Sequence, residues 1–279
     1  MDSKVAVVTG AGAGLGRAYA LALAAAGAAV VVNDIADPLE RKSAPGPGAV
    51  VQEIRARRGR ALAILESVAD ARGVERIIGE TVATFGRVDI LVNNAGIVRS
   101  RPVVEMSDDD WDAVVAVHLR GTFLCTREAL RVMRAAGRGG RIINITSGAA
   151  YQTAAPGTAN YAAAKGGIIS FTRVVAAEGR ECGVTCNAVS PLARTQMSEQ
   201  FLAGDADPAL DPAAVAPMIV FLAADAAASI TGEIFRVARN EISVLRSTFA
   251  AAARATGNHW TAVEIAERIG EICGGIAAS

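Results

Sequence analysis

The chain has 279 residues, 52% of them hydrophobic, and carries 28 Lys+Arg against 28 Asp+Glu. That length and apolar content suit one large α/β domain or two small ones, and the balanced charge argues against a nucleic-acid or anionic-membrane partner. Four cysteines (Cys125, Cys182, Cys186, Cys273) form no C-x-x-C pair and the two histidines lie far from Cys182 and Cys186, so the cysteines read as ordinary thiols and no metal is expected.

The start, Met1-Asp2-Ser3-Lys4, runs directly into Val5-Ala6-Val7-Val8 without a signal-peptide pattern, which predicts a cytoplasmic, reducing location. The charge-free runs 18–33 and 142–164 are broken by Gly27 and by Pro156 with many polar residues, so neither reads as a membrane helix. Short β-branched runs predict strands at 4–9, 29–33, 61–65, 88–92, 140–145 and 183–189. Longer Ala-rich stretches between them predict helices near 14–27, 48–58, 72–85, 108–136, 158–181 and 212–224. Strands this apolar are buried on both faces, and the alternation implies right-handed β-α-β crossovers. The expected fold class is therefore α/β, a single-domain doubly wound parallel sheet with helices on both faces. Residues 36–48, rich in Gly and Pro, predict a loop after the second strand, and 195–212 predicts another. The sheet is expected to finish near 238, leaving a helical extension over 239–279 with amphipathic stretches at about 242–255 and 261–272.

Thr9-Gly10-Ala11-Gly12-Ala13-Gly14-Leu15-Gly16 falls at the first β-α turn. Glycines there let the backbone approach a pyrophosphate, and the helix N-terminus offers free N–H groups. Asp34, at the end of the second predicted strand, is placed to accept hydrogen bonds from an adenosine ribose 2′-OH. A carboxylate there repels a 2′-phosphate and Ala13 adds no basic side chain, so NAD is favoured over NADP. Tyr161 and Lys165 stand four apart, on one helix face. An ammonium beside a phenol favours phenolate, which suits an alcohol–carbonyl interconversion; the spacing alone also fits an ordinary surface pair. Ser147, closing the fifth strand, could donate to a substrate carbonyl, and Asn93-Asn94-Ala95-Gly96 reads either as a turn or as a cofactor-facing loop.

Together, T-G-x-x-x-G-x-G, N-N-A-G, the strand-end Ser, Y-x-x-x-K and Asn187-x-x-x-Pro191 resemble the short-chain dehydrogenase/reductase family over roughly residues 4–237. The resemblance implies a Rossmann fold and an NAD-dependent oxidoreductase with Tyr161 as general acid/base and Ser147 orienting the substrate oxygen. Lys165 would hold the nicotinamide ribose. It also implies cofactor contacts from Gly10, Gly14, Leu15, Gly16, Asp34, Ser67, Val68, Asn93, Ala95, Gly96, Pro191 and Thr195. Three departures stand out. His118 occupies the position where the family usually has a relay Asn. Ser147 lies fourteen residues before Tyr161, one more than is common. Leu192 follows Pro191 where Gly is usual.

Val117-His118-Leu119-Arg120-Gly121, Val31-Val32-Asn33-Asp34 and Ala176-Ala177-Glu178-Gly179-Arg180 are similar to the (3R)-hydroxyacyl-CoA dehydrogenase module of peroxisomal multifunctional enzyme type 2 and its bacterial relatives. The first-choice substrate is thus a 3-hydroxyacyl thioester (CoA), with a steroid or other bulky lipophilic alcohol as runner-up. Apolar Leu192, Met197 and Phe201 fit both. A rival of another class is a dinucleotide-binding sensor or structural subunit without turnover. The family's habit also implies a homo-oligomer, dimer or tetramer, paired through the helices at 108–136 and 158–181.

Overall fold

A computed structural model of the chain describes residues 1–35, 46–152, 155–198, 202, 207–248 and 253–272. Met1–Val244 and Leu245–Ser279 form two compact units. In the first, eight strands make one sheet in the order β3-β2-β1-β4-β5-β6-β7-β8. They are β1 (Val5–Thr9), β2 (Ala29–Asp34), β3 (Ala61–Leu65), β4 (Ile90–Asn93), β5 (Gly140–Ile145), β6 (Val184–Leu192), β7 (Ile234–Ala238) and β8 (Glu241–Val244). All pair in parallel except β7 with β8. The strand order reverses between β1 and β4, and the crevice for a ligand in such a sheet opens there, beyond the strands' carboxyl ends.

Alternation along the strands builds two apolar layers, because successive side chains point to opposite faces. Ala6, Val8, Val30, Val32, Ile90 and Val92 face one way and pack with Tyr19 and Leu23 of α1 (Gly14–Ala25), Ile54 of α2 (Gly46–Ala56) and Ile219 and Leu222 of α7 (Ala216–Ala223). Val7, Val31, Leu91 and Ile142 face the other way, onto Ile77 of α3 (Ala71–Phe85), Met133 of α5 (Gly121–Ala136) and Val175 of α6 (Ala159–Gly179). Both faces being covered accounts for the continuous apolar runs of β1 and β2. Asp70 starts α3 by accepting from the backbone N–H of Gly73 at 3.0 Å, and Gly86 ends it in the left-handed region.

The predicted helix over 108–136 is in fact two. α4 (Asp108–Val115) and α5 are joined by a π-helical turn, Ala116–Arg120. The predicted loop 36–48 ends earlier than expected, since 46–48 already belong to α2, where Pro47 in the first turn has no N–H to leave unpaired; 36–45 lie outside the described residues. β7 and β8 were not among the predicted strands, and the sheet runs beyond 238 to Val244. The predicted amphipathic stretch at 242–255 therefore opens as a strand, and its residues 249–252 lie outside the described ones. In the second unit, α8 (Ala262–Ile272) holds Arg268 between Glu264 and Glu271, at 3.2 and 2.9 Å. No described helix is long and apolar enough to cross a membrane. Among the described residues Cys125, Cys182 and Cys186 are free thiols and no group of side chains could hold a metal ion.

Candidate active site

The β1–α1 turn is held from the β4 side. Thr9 Oγ1 accepts from the backbone N–H groups of Asn94 and Ala95 at 3.0 and 3.1 Å, and Asn94 Nδ2 donates to the carbonyls of Thr9 and Gly10 at 2.9 and 3.1 Å. A Cβ on Gly16 would lie 2.2 Å from the Gly10 carbonyl oxygen, so only glycine permits this closure. Ala13 gives the first turn of α1 no side-chain cap, and no acid stands in that turn. Its N–H groups are thus left for an anion. Asp34 is buried at the end of β2, where Oδ2 accepts from the Gly12 N–H at 2.9 Å. An uncapped N-terminus, a turn closed by glycine and a strand-end carboxylate fit the pyrophosphate and ribose of a dinucleotide.

The neighbouring residues carry proton-handling groups. Ser147, just past β5, accepts from the Ala149 N–H at 3.3 Å and shares the cavity wall with Tyr161 of α6. Lys165, one turn on, is buried; its Nζ donates to the Ile145 carbonyl at 2.7 Å and lies 5.6 Å from the Tyr161 ring centroid. Burial pushes the Lys165 ammonium down to about 7. The same desolvation raises the Tyr161 phenol above its ordinary value, with the Ser147 hydroxyl pulling the other way. The sequence expectation of a phenol lowered by Lys165 is therefore not met in the protein alone. Desolvation outweighs a lysine that is itself losing its charge.

His118 sits in the π-helical turn, 1% exposed, with its ring edge-on to Tyr161 at 5.2 Å between centroids. Its Nε2 lies 2.7 Å from the Ile97 carbonyl and 3.0 Å from the Ile97 N–H, while Nδ1 is buried without a partner. Burial, with the Lys165 charge adding to it, pushes the imidazole down to about 3, so it is neutral in ordinary buffers. Single π turns inserted in α-helices recur at functional sites, and here the turn carries His118.

One cavity of about 480 Å³ gathers most of the sequence-predicted residues. Gly10, Gly14, Leu15, Gly16 and Gly96 line it; so do Ser147, Tyr161, Lys165 and His118, and Pro191 and Thr195 from β6 and the turn after it. Leu192, which follows Pro191, continues β6 in register with Ala238 and lines the cavity. Leu192, Met197 and Leu202 add apolar wall, whereas Phe201 lies outside the described residues. Asp34, Ser67, Val68, Asn93 and Ala95 are not part of the lining. Asn93 is turned into the sheet, donating to Thr126 Oγ1 at 3.0 Å and Asn144 Oδ1 at 2.8 Å. Its neighbour Asn94 is the one that reaches the glycine turn and the cavity, and sequence reasoning had not singled it out. Arg236 of β7 and Gln152 also line the cavity without having been predicted.

Residues 4–205 match the profile of the short chain dehydrogenase family. The chain belongs to that family. It is 45% identical over 248 residues to a 3-oxoacyl-(acyl-carrier-protein) reductase of Synechocystis, covering 85% of this chain and 96% of that one. It is 38% identical over 263 residues to a Mycobacterium tuberculosis hydroxyacyl-CoA dehydrogenase, covering 88% and 80%. It is 40% identical over 247 residues to the peroxisomal multifunctional enzyme type 2 of Mus musculus, covering 88% of this chain but spanning only 33% of that larger protein. As a short-chain dehydrogenase the protein is an oxidoreductase of a family that uses nicotinamide cofactors. The reading as a sensor or structural subunit without turnover falls with this finding.

Proposed function

We propose that the protein interconverts a secondary alcohol and its ketone with NAD, and that the substrate is a 3-hydroxyacyl thioester. The observation that carries this reading is the grouping of Ser147, Tyr161 and Lys165 around the cavity that also holds the glycine turn. A bound nicotinamide supplies the hydride acceptor in oxidation and the donor in reduction. In reduction, the Ser147 hydroxyl and the Tyr161 phenol both donate to the ketone oxygen, and Tyr161 passes its proton as the alcohol forms. In oxidation, the Tyr161 oxygen takes the hydroxyl proton while the carbinol carbon loses its hydride. The burial that raises the Tyr161 phenol keeps it protonated, ready as an acid. Lys165 holds the nicotinamide ribose, and its charge, when present, favours phenolate for the reverse direction. His118 is assigned a bridging position in the proton path as a neutral hydrogen-bonding ring through Nδ1, not as an acid.

Several observations support the finer choices. Asp34 is buried at the adenosine end and disfavours a 2′-phosphate, which supports NAD. Leu192, Met197 and Leu202 suit an acyl chain, and the names of the Synechocystis and Mycobacterium relatives point to acyl thioesters. Phe123 and Val174 are exposed on α5 and α6, with the Phe123 and Phe171 rings 6.4 Å apart, which supports pairing of two copies through those helices. Absorbance at 340 nm, followed with NAD and a panel of 3-hydroxyacyl-CoA thioesters and steroid alcohols, tests the substrate. Turnover of the thioesters is expected. Turnover confined to steroid alcohols would overturn the thioester assignment.

A further inference from the structure

β7 lies beside the substrate side of the cavity. Its register with β6 sets Arg236 against Ser190 and Val237 against Pro191. Arg236 lines the cavity and is only partly exposed. Its Nη1 donates to Gln152 Oε1 at 2.8 Å, and a Cβ on Gly148 would lie 3.3 Å from the same nitrogen. The guanidinium therefore rests against the residue that follows Ser147.

Its electrostatic surroundings are one-sided. No acidic side chain lines the cavity among the described residues, and the other basic side chain there is Lys165. Lys165 already donates to the Ile145 carbonyl, belongs to the ribose side of the site on the reading above, and is pushed down to about 7 by burial. Arg239, three residues further on, is ion-paired with Asp207. Arg236 has the neutral Gln152 amide as its side-chain partner and no carboxylate among the described residues. A guanidinium carries five N–H donors in a planar fork that matches a carboxylate. One of them is used by Gln152, which steadies the side chain, and the others remain available at the cavity wall.

We propose that Arg236 binds a carboxylate of the substrate placed a few bonds from the reacting carbinol carbon. Chain geometry puts Nη1 within about 9 Å of the Ser147 Cα. That keeps the guanidinium on the Ser147 side of the cavity, whereas a pantetheine arm would carry its nucleotide phosphates well beyond such a reach, so a second carboxylate on the acyl part itself suits it. Resting on the thioester reading above, the substrate class becomes a 3-hydroxy-dicarboxylic acid activated at one end.

The test compares 3-hydroxyadipyl-CoA with 3-hydroxyhexanoyl-CoA, which differ by a terminal carboxylate in place of methyl. With NAD, the wild-type enzyme is expected to favour the acid by about tenfold or more in kcat/KM, the range of a charge-assisted hydrogen bond. Arg236→Met should bring the ratio to about one, and Arg236→Lys should keep an intermediate ratio. A wild-type ratio at or below one overturns the proposal, and so does a preference that survives Arg236→Met. Calorimetric titration of hexanoate and hexanamide into the NAD-loaded enzyme reads the same contrast without turnover. Tighter hexanoate binding that is lost in Arg236→Met supports it; equal binding of the two to wild type overturns it. If neither thioester is oxidised, the thioester reading fails and this titration alone decides Arg236. Arg236→Gln takes the place of Arg236→Met should circular dichroism show the latter unfolded.

Discussion

The two ends of the sheet build their parts of the site from different materials. Around β1 and β2 the site is mostly backbone: Gly10 to Gly16, the open first turn of α1 and one carboxylate, Asp34, all within a short stretch of chain. Around β5 to β7 it is side chains brought from afar: Ser147, Tyr161, Lys165, Leu192 and Arg236. A backbone cradle tolerates almost no change of shape, because a single added methyl collides with a carbonyl. A side-chain wall can be rebuilt one residue at a time without moving the strands beneath it. On the proposed function, the dinucleotide end is the fixed half of the site and the alcohol end the adjustable one, and the comparison can be broken by substitutions on either side.

The largest effect is expected at Tyr161, where the two halves meet. Tyr161→Phe keeps the ring against His118 and Lys165 and removes the proton. Turnover should fall by about 10²–10⁴-fold, the usual contribution of a positioned acid or base, while NADH affinity, read by fluorescence titration, changes little. Undiminished turnover would show that Tyr161 is not the proton donor.

His118 gives the next largest effect, and it appears in stability. Its pKa is near 3 folded against an ordinary 6.5, so the unfolded chain binds the extra proton between those values. Stability therefore rises with pH across that window and is lost as pH falls through it. Between pH 7 and pH 5 the wild-type protein should lose about 2 kcal/mol on this account. His118→Asn should lose correspondingly less in urea titrations at the two pH values. Equal losses in the two proteins would mean that the imidazole is not held neutral by burial.

Gly16→Ala addresses the rigid half directly. The new Cβ would meet the Gly10 carbonyl at 2.2 Å, so the turn must open. Overpacking of this kind costs about 1–3 kcal/mol, which should appear as weaker NADH binding with the substrate KM less affected. The converse pattern, weakened substrate and intact cofactor binding, would contradict the division of the site into a fixed and an adjustable end.

That division also explains what could be read from the sequence. The glycine turn, Asp34 and the Tyr161–Lys165 pair are local patterns: the turn joins β1 to α1, Asp34 ends β2, and Tyr161 and Lys165 line the cavity from α6. Asn93 and Asn94 are adjacent, so one faces the sheet interior and the other the crevice. Only the register of β4 decides which, and it selects Asn94 for the cavity. β7 and β8 were missed because strands this short gain their identity from pairing. Glu241, Ile242, Ser243 and Val244 alternate as a strand does, but the same residues open a helical pattern as well. Arg239 in the left-handed region and Asn240 make the two-residue turn that lets β8 fold back on β7. Arg236 stayed invisible for the same reason. The raised Tyr161 phenol was beyond sequence because a neighbour at four residues is local, whereas desolvation is a property of the finished fold.

The smallest expected effect concerns the choice between cofactors, and it tests how far one carboxylate governs the rigid half. Asp34 Oδ2 already accepts from Gly12, so the carboxylate is oriented before any ribose arrives, and a bond made by a preset group costs little ordering on binding. Removing it should weaken NAD by the worth of one charge-assisted hydrogen bond, about tenfold, and relieve the repulsion of a 2′-phosphate. Asp34→Ala should therefore shift the NAD:NADP ratio of kcat/KM by more than its effect on NAD alone, since the two terms act in the same direction on the ratio. A ratio unchanged by the substitution would place the cofactor choice outside Asp34. The backbone cradle would then bind both dinucleotides alike, and discrimination would have to come from residues beyond β2.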